Sequence, residues 1–210
     1  MSPTLLDQHQ RPARERALSA EGRVLLRDFD VEALEASSAV IFAVNRSGRI
    51  VYFNPAYERF AKDNGGGVDF AQKWGLGACY FDAIGEPLRG YYVRRFEDVL
   101  RSEKIWTQRY FCNAPDKQRR DFLQWFPSRG GILMVHSGRW SAAHDNAVDA
   151  PMALDEGAEA AAVVMCMHCR RTRRGDDPGR WDMVEAYLVS PPTAASYSLC
   201  PPCRAHYFGP

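Results

Sequence analysis

Two cysteine pairs with the same spacing constrain this 210-residue chain more than any other feature. They are CMHC, with Cys166 and Cys169, and CPPC, with Cys200 and Cys203. Two residues between cysteines place both thiolates on one tight turn, so both sulfurs can point at a single ion. Two such turns brought together form a tetrahedral cage of four sulfurs, which suits zinc, with Zn–S distances of ~2.3 Å. The spacing therefore predicts that these four cysteines bind one zinc ion.

The redox compartment decides how the six cysteines of the chain are interpreted. The N-terminal residues are polar and lack the apolar stretch of a secretory signal. No apolar run approaches the ~18 residues that a membrane span needs. We therefore expect a soluble, cytoplasmic protein without a membrane partner. In a reducing compartment, paired cysteines bind metal more often than they form disulfides. A pair of disulfides, redox-active dithiols and an iron–sulfur centre stay open as alternatives.

The segment between the two cysteine pairs is long enough to hold an element of its own. Residues 175–192, GDDPGRWDMVEAYLVSPP, have the pattern of a capped helix, with Trp181, Val184 and Leu188 as one apolar stripe. We therefore predict a small four-cysteine zinc module over residues 161–210 with one helix. It depends on the metal, because so few apolar side chains do not form a stable core alone.

A cluster of arginines follows the first cysteine pair directly. A zinc tetrathiolate carries a formal charge of about −2, which guanidinium groups nearby would offset. A patch that binds an anion or a partner is the alternative. A nucleic-acid partner is disfavoured, because the formal net charge of the chain is only +1 and no aromatic pattern for base stacking accompanies the arginines. The candidate patch consists of Arg170, Arg171, Arg173 and Arg174.

Residues 39–137 alternate between short β-rich runs and helical patterns. AVIFAV and RIVYF flank the polar turn NRSG and predict a β-hairpin, after which Asn54 caps a helix. Apolar positions at helical spacing over residues 87–104 predict an amphipathic helix. Three further β-like runs follow, IWTQRYFC, DFLQWF and GILMVHS, with Gly, Asn or Pro at the breaks. The pattern predicts an α+β fold, a five-stranded antiparallel sheet with helices on one face.

This order of elements resembles the PAS fold. AVIFAVNRSGRIVYFNPAYERFA is similar to the opening hairpin and first helix of PAS domains, and DFLQWFPSRGGILMVHS is similar to their last two strands. The resemblance implies a PAS-like domain over residues 27–137, with an N-terminal helix. It also implies a homodimer that pairs through residues 27–38.

The two remaining segments lack the periodicity of a folded element. Residues 1–26 mix charges with small residues, so we predict a mobile N-terminal arm. Residues 138–160 are rich in Ala and Asp, so we predict an acidic flexible linker.

The C-terminal residues resemble the cysteine-paired tails that follow PAS domains in bacterial sensory proteins. CMHCRRTRR, RWDMVEAYL and SYSLCPPCRAHYF carry this resemblance. Those tails typically have His and Gly where this chain has Tyr197 and Ser198, so no role of that histidine carries over. The resemblance implies a bacterial signalling protein.

Aromatic side chains of the PAS-like domain either line a pocket for an apolar small molecule or fill the core. The sequence alone leaves both readings open. The candidates are Tyr57, Phe60, Trp106, Tyr110 and Trp125.

The sequence contains no catalytic constellation. A phosphate-cradling Gly-x-x-x-x-Gly-Lys loop is absent, as are kinase, cyclase and receiver signatures. We therefore expect an adaptor or sensor of signal transduction, not an enzyme. Its PAS-like domain would bind a ligand or partner, and its zinc module would bind another protein. The alternatives are a transcriptional regulator that binds DNA through the zinc module and a thiol-based redox sensor that releases zinc on oxidation.

Overall fold

The computed structural model describes residues 18–63, 73–111, 118–143, 147–148, 163–175 and 177–209. The chain divides into two units. The first unit comprises residues 1–108 and 122–137, and the second comprises residues 109–121 and 138–210. The sequence-based domain over residues 27–137 thus included a segment, 109–121, that belongs to the second unit.

Helices and strands alternate along the first part of the chain. Their order is α1 (Ala20–Leu25), α2 (Val31–Ala36), β1 (Val40–Asn45), β2 (Ile50–Phe53), α3 (Pro55–Asp63), α4 (Leu88–Ser102), β3 (Trp106–Phe111), β4 (Gln118–Ser128) and β5 (Gly131–Ala142). Two 3₁₀ turns, Leu26–Asp28 and Tyr80–Ala83, lie between them. Strands β3, β4 and β5 each contribute residues to both units.

These five strands form one sheet in the order β2-β1-β5-β4-β3. Strand β1 is antiparallel to both neighbours, with Phe42 opposite Phe53 on one side and Met134 on the other. The turn from β1 to β2 contains Gly48 at φ 78°, a backbone conformation that a residue without Cβ adopts freely. The prediction of an α+β fold with an antiparallel sheet and several helices is therefore confirmed. The predicted amphipathic helix is α4, which buries one stripe of side chains: Leu88, Tyr92, Phe96 and Val99.

Helix α1 corrects the predicted extent of the N-terminal arm. Ser19 caps the helix, since its Oγ accepts a hydrogen bond from the N–H of Gly22 at 3.0 Å. Leu25 and Leu26, each 1% exposed, pack in a cluster that includes Tyr52 of β2. An arm up to residue 26 is therefore too long at residues 18–26, because Leu18, Leu25 and Leu26 pack in a core. Residues 1–17 lie outside the described residues.

Asn54, which follows strand β2, is fully buried, and its side-chain amide both accepts and donates hydrogen bonds. Its Oδ1 accepts from the N–H of Ile41 and from the N–H of Tyr57, both at 3.1 Å. The second bond confirms that Asn54 caps helix α3. Its Nδ2 donates to the carbonyl oxygens of Leu34 (3.1 Å), Ser37 (3.4 Å) and Ala39 (2.9 Å). One side chain thus joins the sheet, helix α3 and the segment that follows α2.

Helix α2 lies within residues 27–38, where a dimer contact was expected. Asp30 caps it by accepting from the N–H of Ala33 at 3.1 Å. Leu34 and Val31 pack against the cluster of Leu25 and its neighbours. The apolar side of this helix is therefore used within the chain.

The second unit contains a sheet of short strands. In chain order its elements are β6 (Ala147–Val148), β7 (Val164–Cys166), β8 (Thr172–Arg173), β9 (Trp181–Val184), α5 (Glu185–Val189), β10 (Ser196–Ser198) and α6 (Pro201–Phe208). The sheet order is β10-β7-β8-β9-β6. β6 and the last residues of β5 lie within 138–160, so a linker throughout that range is wrong. Its other residues from 144 to 160 lie outside the described ones.

The predicted single helix of the module is corrected in two ways. Its first half is strand β9, because Trp181 and Asp182 pair with β8 across from Arg173 and Thr172. Asp182 is buried and accepts from Arg174 at 3.3 Å, which holds the strand in this register. Only Glu185–Val189 is helical, and α6 is a second helix among the described residues of this unit.

Candidate metal centre

The first cysteine pair lies on the turn between strands β7 and β8. Cys166 ends β7, and its N–H donates to the carbonyl of Arg171 at 2.7 Å. The N–H of Arg170 donates to the carbonyl of Cys166 at 2.9 Å. Arg170 has φ 67°, a left-handed conformation that is uncommon for a residue with a side chain. These bonds close the turn tightly and place Cys169 beside Cys166.

The second pair lies at the start of helix α6. Cys200 is the N-cap residue, Pro201 and Pro202 fill the first helical positions, and Cys203 follows in the first turn. Proline suits these positions because their N–H groups have no partner within the helix. The N-terminal end of a helix favours negative charge, so it favours thiolates at both cysteines.

The four sulfurs meet in one place. All four Sγ atoms lie within 4.8 Å of one another, and all four residues are buried. Cys169 Sγ and Cys200 Sγ are 3.6 Å apart. Four sulfurs at ~2.3 Å from a central ion would be about 3.8 Å apart, as the edges of a tetrahedron. The cysteines predicted as ligands are therefore brought together, and they can hold a metal ion.

Hydrogen bonds within the cluster shift the pKa values of its thiols in opposite directions. The thiols of Cys169, Cys200 and Cys203 bond to Cys166 Sγ. These bonds lower the pKa of Cys166. The N–H of Cys200 also donates to Cys166 Sγ, at 3.4 Å. The same contacts, led by Cys166, raise the pKa of Cys203. Four buried thiolates repel one another, so complete ionisation of the cluster needs a cation among them.

Two histidines that the sequence analysis did not use lie beside this cluster and bond to strand β3. His168 is buried, and its Nε2 accepts from the N–H of Phe111 at 2.7 Å. His206 Nε2 lies 3.0 Å from the carbonyl oxygen of Arg109. The rings of His168 and Tyr207 are 5.0 Å apart. The sequence signals were the position of His168 between two cysteines and that of His206 three residues after Cys203, and neither pointed to strand β3.

Burial lowers the pKa of His168 to about 4, and the nearby His206 adds to this effect. A neutral His168 agrees with its hydrogen bond, since Nε2 accepts and must carry no proton. Neither histidine belongs to the group of side chains that can share one ion, which consists of the four cysteines. Both histidines therefore support the cluster from outside.

The four arginines of the candidate patch have different environments. Arg174 is paired with the buried carboxylate of Asp182, which Arg180 also contacts at 3.1 Å. Arg173 is exposed on β8, whereas Arg170 and Arg171 are half-buried. At least one of the four thus has a structural partner.

Four of the five candidate pocket residues belong to the first unit. Trp106 and Trp125 pack with ring centroids 4.6 Å apart. Tyr57 packs against Phe42 at 5.2 Å, and Phe60 is half-buried on α3.

Tyr110, the fifth candidate, belongs to the second unit, where its hydroxyl donates to Asp121 at 3.4 Å. The sequence missed three rings that surround the fully buried Trp125, those of Tyr80, Tyr92 and Phe96.

Comparison of the sequence with models of protein families finds no match, and comparison with curated proteins finds none. Within the described part of the chain, no helix combines the length and the apolarity needed to cross a bilayer. The site must therefore be interpreted from its own chemistry.

Proposed function

We propose that this chain is a signalling adaptor or sensor, in which a PAS-like domain binds a ligand or partner and a zinc module binds another protein. The observation that carries the proposal is the cluster of four buried cysteines within 4.8 Å of one another. Four thiolates on two turns supply a closed site with no position left for a substrate. Closed sites of this kind stabilise a fold, whereas catalytic zinc sites keep an open position.

Zinc is the metal that the donor set fits best. Soft thiolate ligands select zinc, copper(I) or iron–sulfur clusters, and a tetrahedral set of four favours zinc or iron. The separation of 3.6 Å between Cys169 Sγ and Cys200 Sγ suits the edge of a tetrahedron around one ion. A cluster with several irons needs its cysteines farther apart, because the inorganic atoms lie between them. We therefore assign a single zinc ion.

The PAS-like assignment rests on the order of elements. In chain order, a hairpin is followed by a set of helices and by three further strands, and the five strands form one sheet. This order supports the proposed resemblance to the PAS fold. We extend the proposal to a homodimer of a bacterial, cytoplasmic protein. Since Leu34 packs within its own chain, such a dimer would use the exposed positions Glu32, Ala33 and Ala36 of helix α2.

An adaptor fits the site better than a redox sensor. Reactive cysteines are accessible thiolates, but Cys166 and Cys200 are 0% and 1% exposed. Under the adaptor proposal, low peroxide leaves the zinc bound. Release of zinc at low stoichiometry would instead favour the redox sensor.

Elemental analysis of the purified chain tests the proposal. We expect about one zinc per chain, lost when Cys200→Ser and Cys203→Ser are combined. The matched control is Cys79→Ser, because Cys79 is a half-buried thiol outside the cluster. It should keep the zinc. A chain without zinc, or with a coloured iron species, would contradict the proposal.

A further inference from the structure

Strands β3, β4 and β5 present one face with arginine and aromatic side chains in the second unit. We call it the Arg–aromatic face and define it by Arg109, Phe111, Arg120 and Trp140. The guanidinium of Arg120 lies 5.5 Å from the ring centroid of Phe111 and 4.8 Å from that of Trp140. Arg109 is two residues before Phe111 on β3 and so shares its face.

This face is open to solvent at Arg109, Arg120 and Trp140, whereas Phe111 is half-buried and its ring centroid lies 5.5 Å from that of His168. Trp140 is 46% exposed, and Arg120 and Arg109 are exposed. An exposed tryptophan beside arginines is typical of protein interfaces, which are enriched in Trp, Tyr and Arg. The face therefore has the composition of a binding surface.

The two rings hold the charge of Arg120 in place. Arg120 forms no ion pair with a described residue. Its cation–π contacts with described residues are those with the two rings. A guanidinium held between rings loses little conformational freedom when it binds. Its N–H groups fit a carboxylate in a bidentate geometry. The face is thus prepared for a negative group.

Among the described residues of these strand segments, no acidic side chain on the same face competes for this charge. In the segments of the three strands that belong to the second unit, the alternating positions on this face carry Gln118, Gly138 and Ala142 besides the four defining residues. Charge complementarity therefore points to an acidic partner.

We propose that the Arg–aromatic face binds an acidic polypeptide segment, in which a carboxylate meets Arg120 and an apolar side chain packs on Trp140. This inference rests on the proposed function, since it names the surface through which the second unit contacts its partner. A protein is favoured over single-stranded nucleic acid because Arg120 covers ring faces on which bases would stack.

The test uses the full chain and a short fluorescein-labelled peptide rich in Glu and Leu, with fluorescence anisotropy as the readout. Arg120→Gln and Trp140→Ala should each weaken binding about tenfold. Arg173→Gln is the matched control, because it removes an exposed arginine of the same unit outside the face. It should bind as the unchanged chain does. A peptide with Lys in place of Glu should not bind.

Three results would overturn the inference. They are no binding of the acidic peptide, equal losses from Arg120→Gln and Arg173→Gln, and displacement of the peptide by an oligo-dT strand that binds more tightly. Zinc is measured on the same samples. Zinc-loaded protein that fails to bind overturns this surface alone, whereas protein without zinc overturns the proposed function whatever the peptide does.

Discussion

Replacing Asn54 by Asp exchanges one atom of a buried side chain and reverses its hydrogen-bonding capacity. The amide donates to the carbonyl oxygens of Leu34, Ser37 and Ala39. A carboxylate has no proton for these oxygens and faces them with negative charge. Each buried group left without a partner costs about 1–3 kcal/mol. Two donated protons are lost, so we expect a destabilisation of about 3–5 kcal/mol, a large share of the stability of a domain.

The pH dependence separates this cause from a loss of packing. The new carboxyl faces carbonyl oxygens in a buried site. Its pKa in the folded state is therefore raised above the ~3.9 of an unfolded Asp. The folded state then binds more protons than the unfolded state, so the free energy of unfolding falls as the pH rises above ~4. The deficit of the variant should therefore be smaller at pH 4 than at pH 7.

Urea unfolding followed by circular dichroism at both pH values measures these differences. Asn45→Asp is the matched control. Asn45 Oδ1 accepts from the N–H groups of Ser47 and Arg49, both at 3.0 Å, and a carboxylate keeps both bonds. It loses only the exposed bond from Asn45 Nδ2 to Glu21 Oε2 at 2.6 Å, where solvent screens the two carboxylates. We expect a change within about 1 kcal/mol there. An Asn54→Asp variant that is as stable as the unchanged chain at pH 7 would refute the reasoning.

Three further substitutions test separate parts of the structure. Gly22→Ala should lower the free energy of unfolding by about 2 kcal/mol, and so the melting temperature by several degrees, because a Cβ there would lie 2.3 Å from the carbonyl oxygen of Val51. An unchanged melting curve would contradict this contact. His168→Phe keeps a ring but removes the acceptor for Phe111, so hydrogen exchange of that amide should accelerate about tenfold; unchanged exchange would contradict the bond. Leu34→Asp should destabilise the chain by about 2 kcal/mol in urea unfolding, and an unchanged free energy of unfolding would contradict its packing.

Local patterns predicted the elements whose neighbours in sequence determine them. The hairpin followed from NRSG between two β-rich runs, and Asn54 as a cap followed from its position before Pro55. The cluster of four cysteines followed from their spacing alone. Each of these signals spans a few residues, so no knowledge of the tertiary structure was needed.

Predictions failed where a distant contact outweighs the local pattern. Trp181 and Val184 have helical spacing with Leu188, yet pairing with β8 on one side and β6 on the other makes their segment a strand. Helix α1 looked like an arm because Leu25 and Leu26 find their apolar partners on strands far along the chain. The bond between His168 and Phe111 joins residues 57 positions apart, and no periodicity encodes such a pair.

The bonds from His168 and His206 to strand β3 have a consequence for aggregation. β3 is the last strand of its sheet, and an edge strand with free N–H and C=O groups can pair with another molecule. Here imidazoles bond to the N–H of Phe111 and the carbonyl of Arg109, where a further strand would otherwise add. His168 lies between two of the proposed metal ligands, so removing the proposed zinc should free this edge. Chelator-treated protein should then assemble edge to edge through β3, and re-adding zinc early should prevent it.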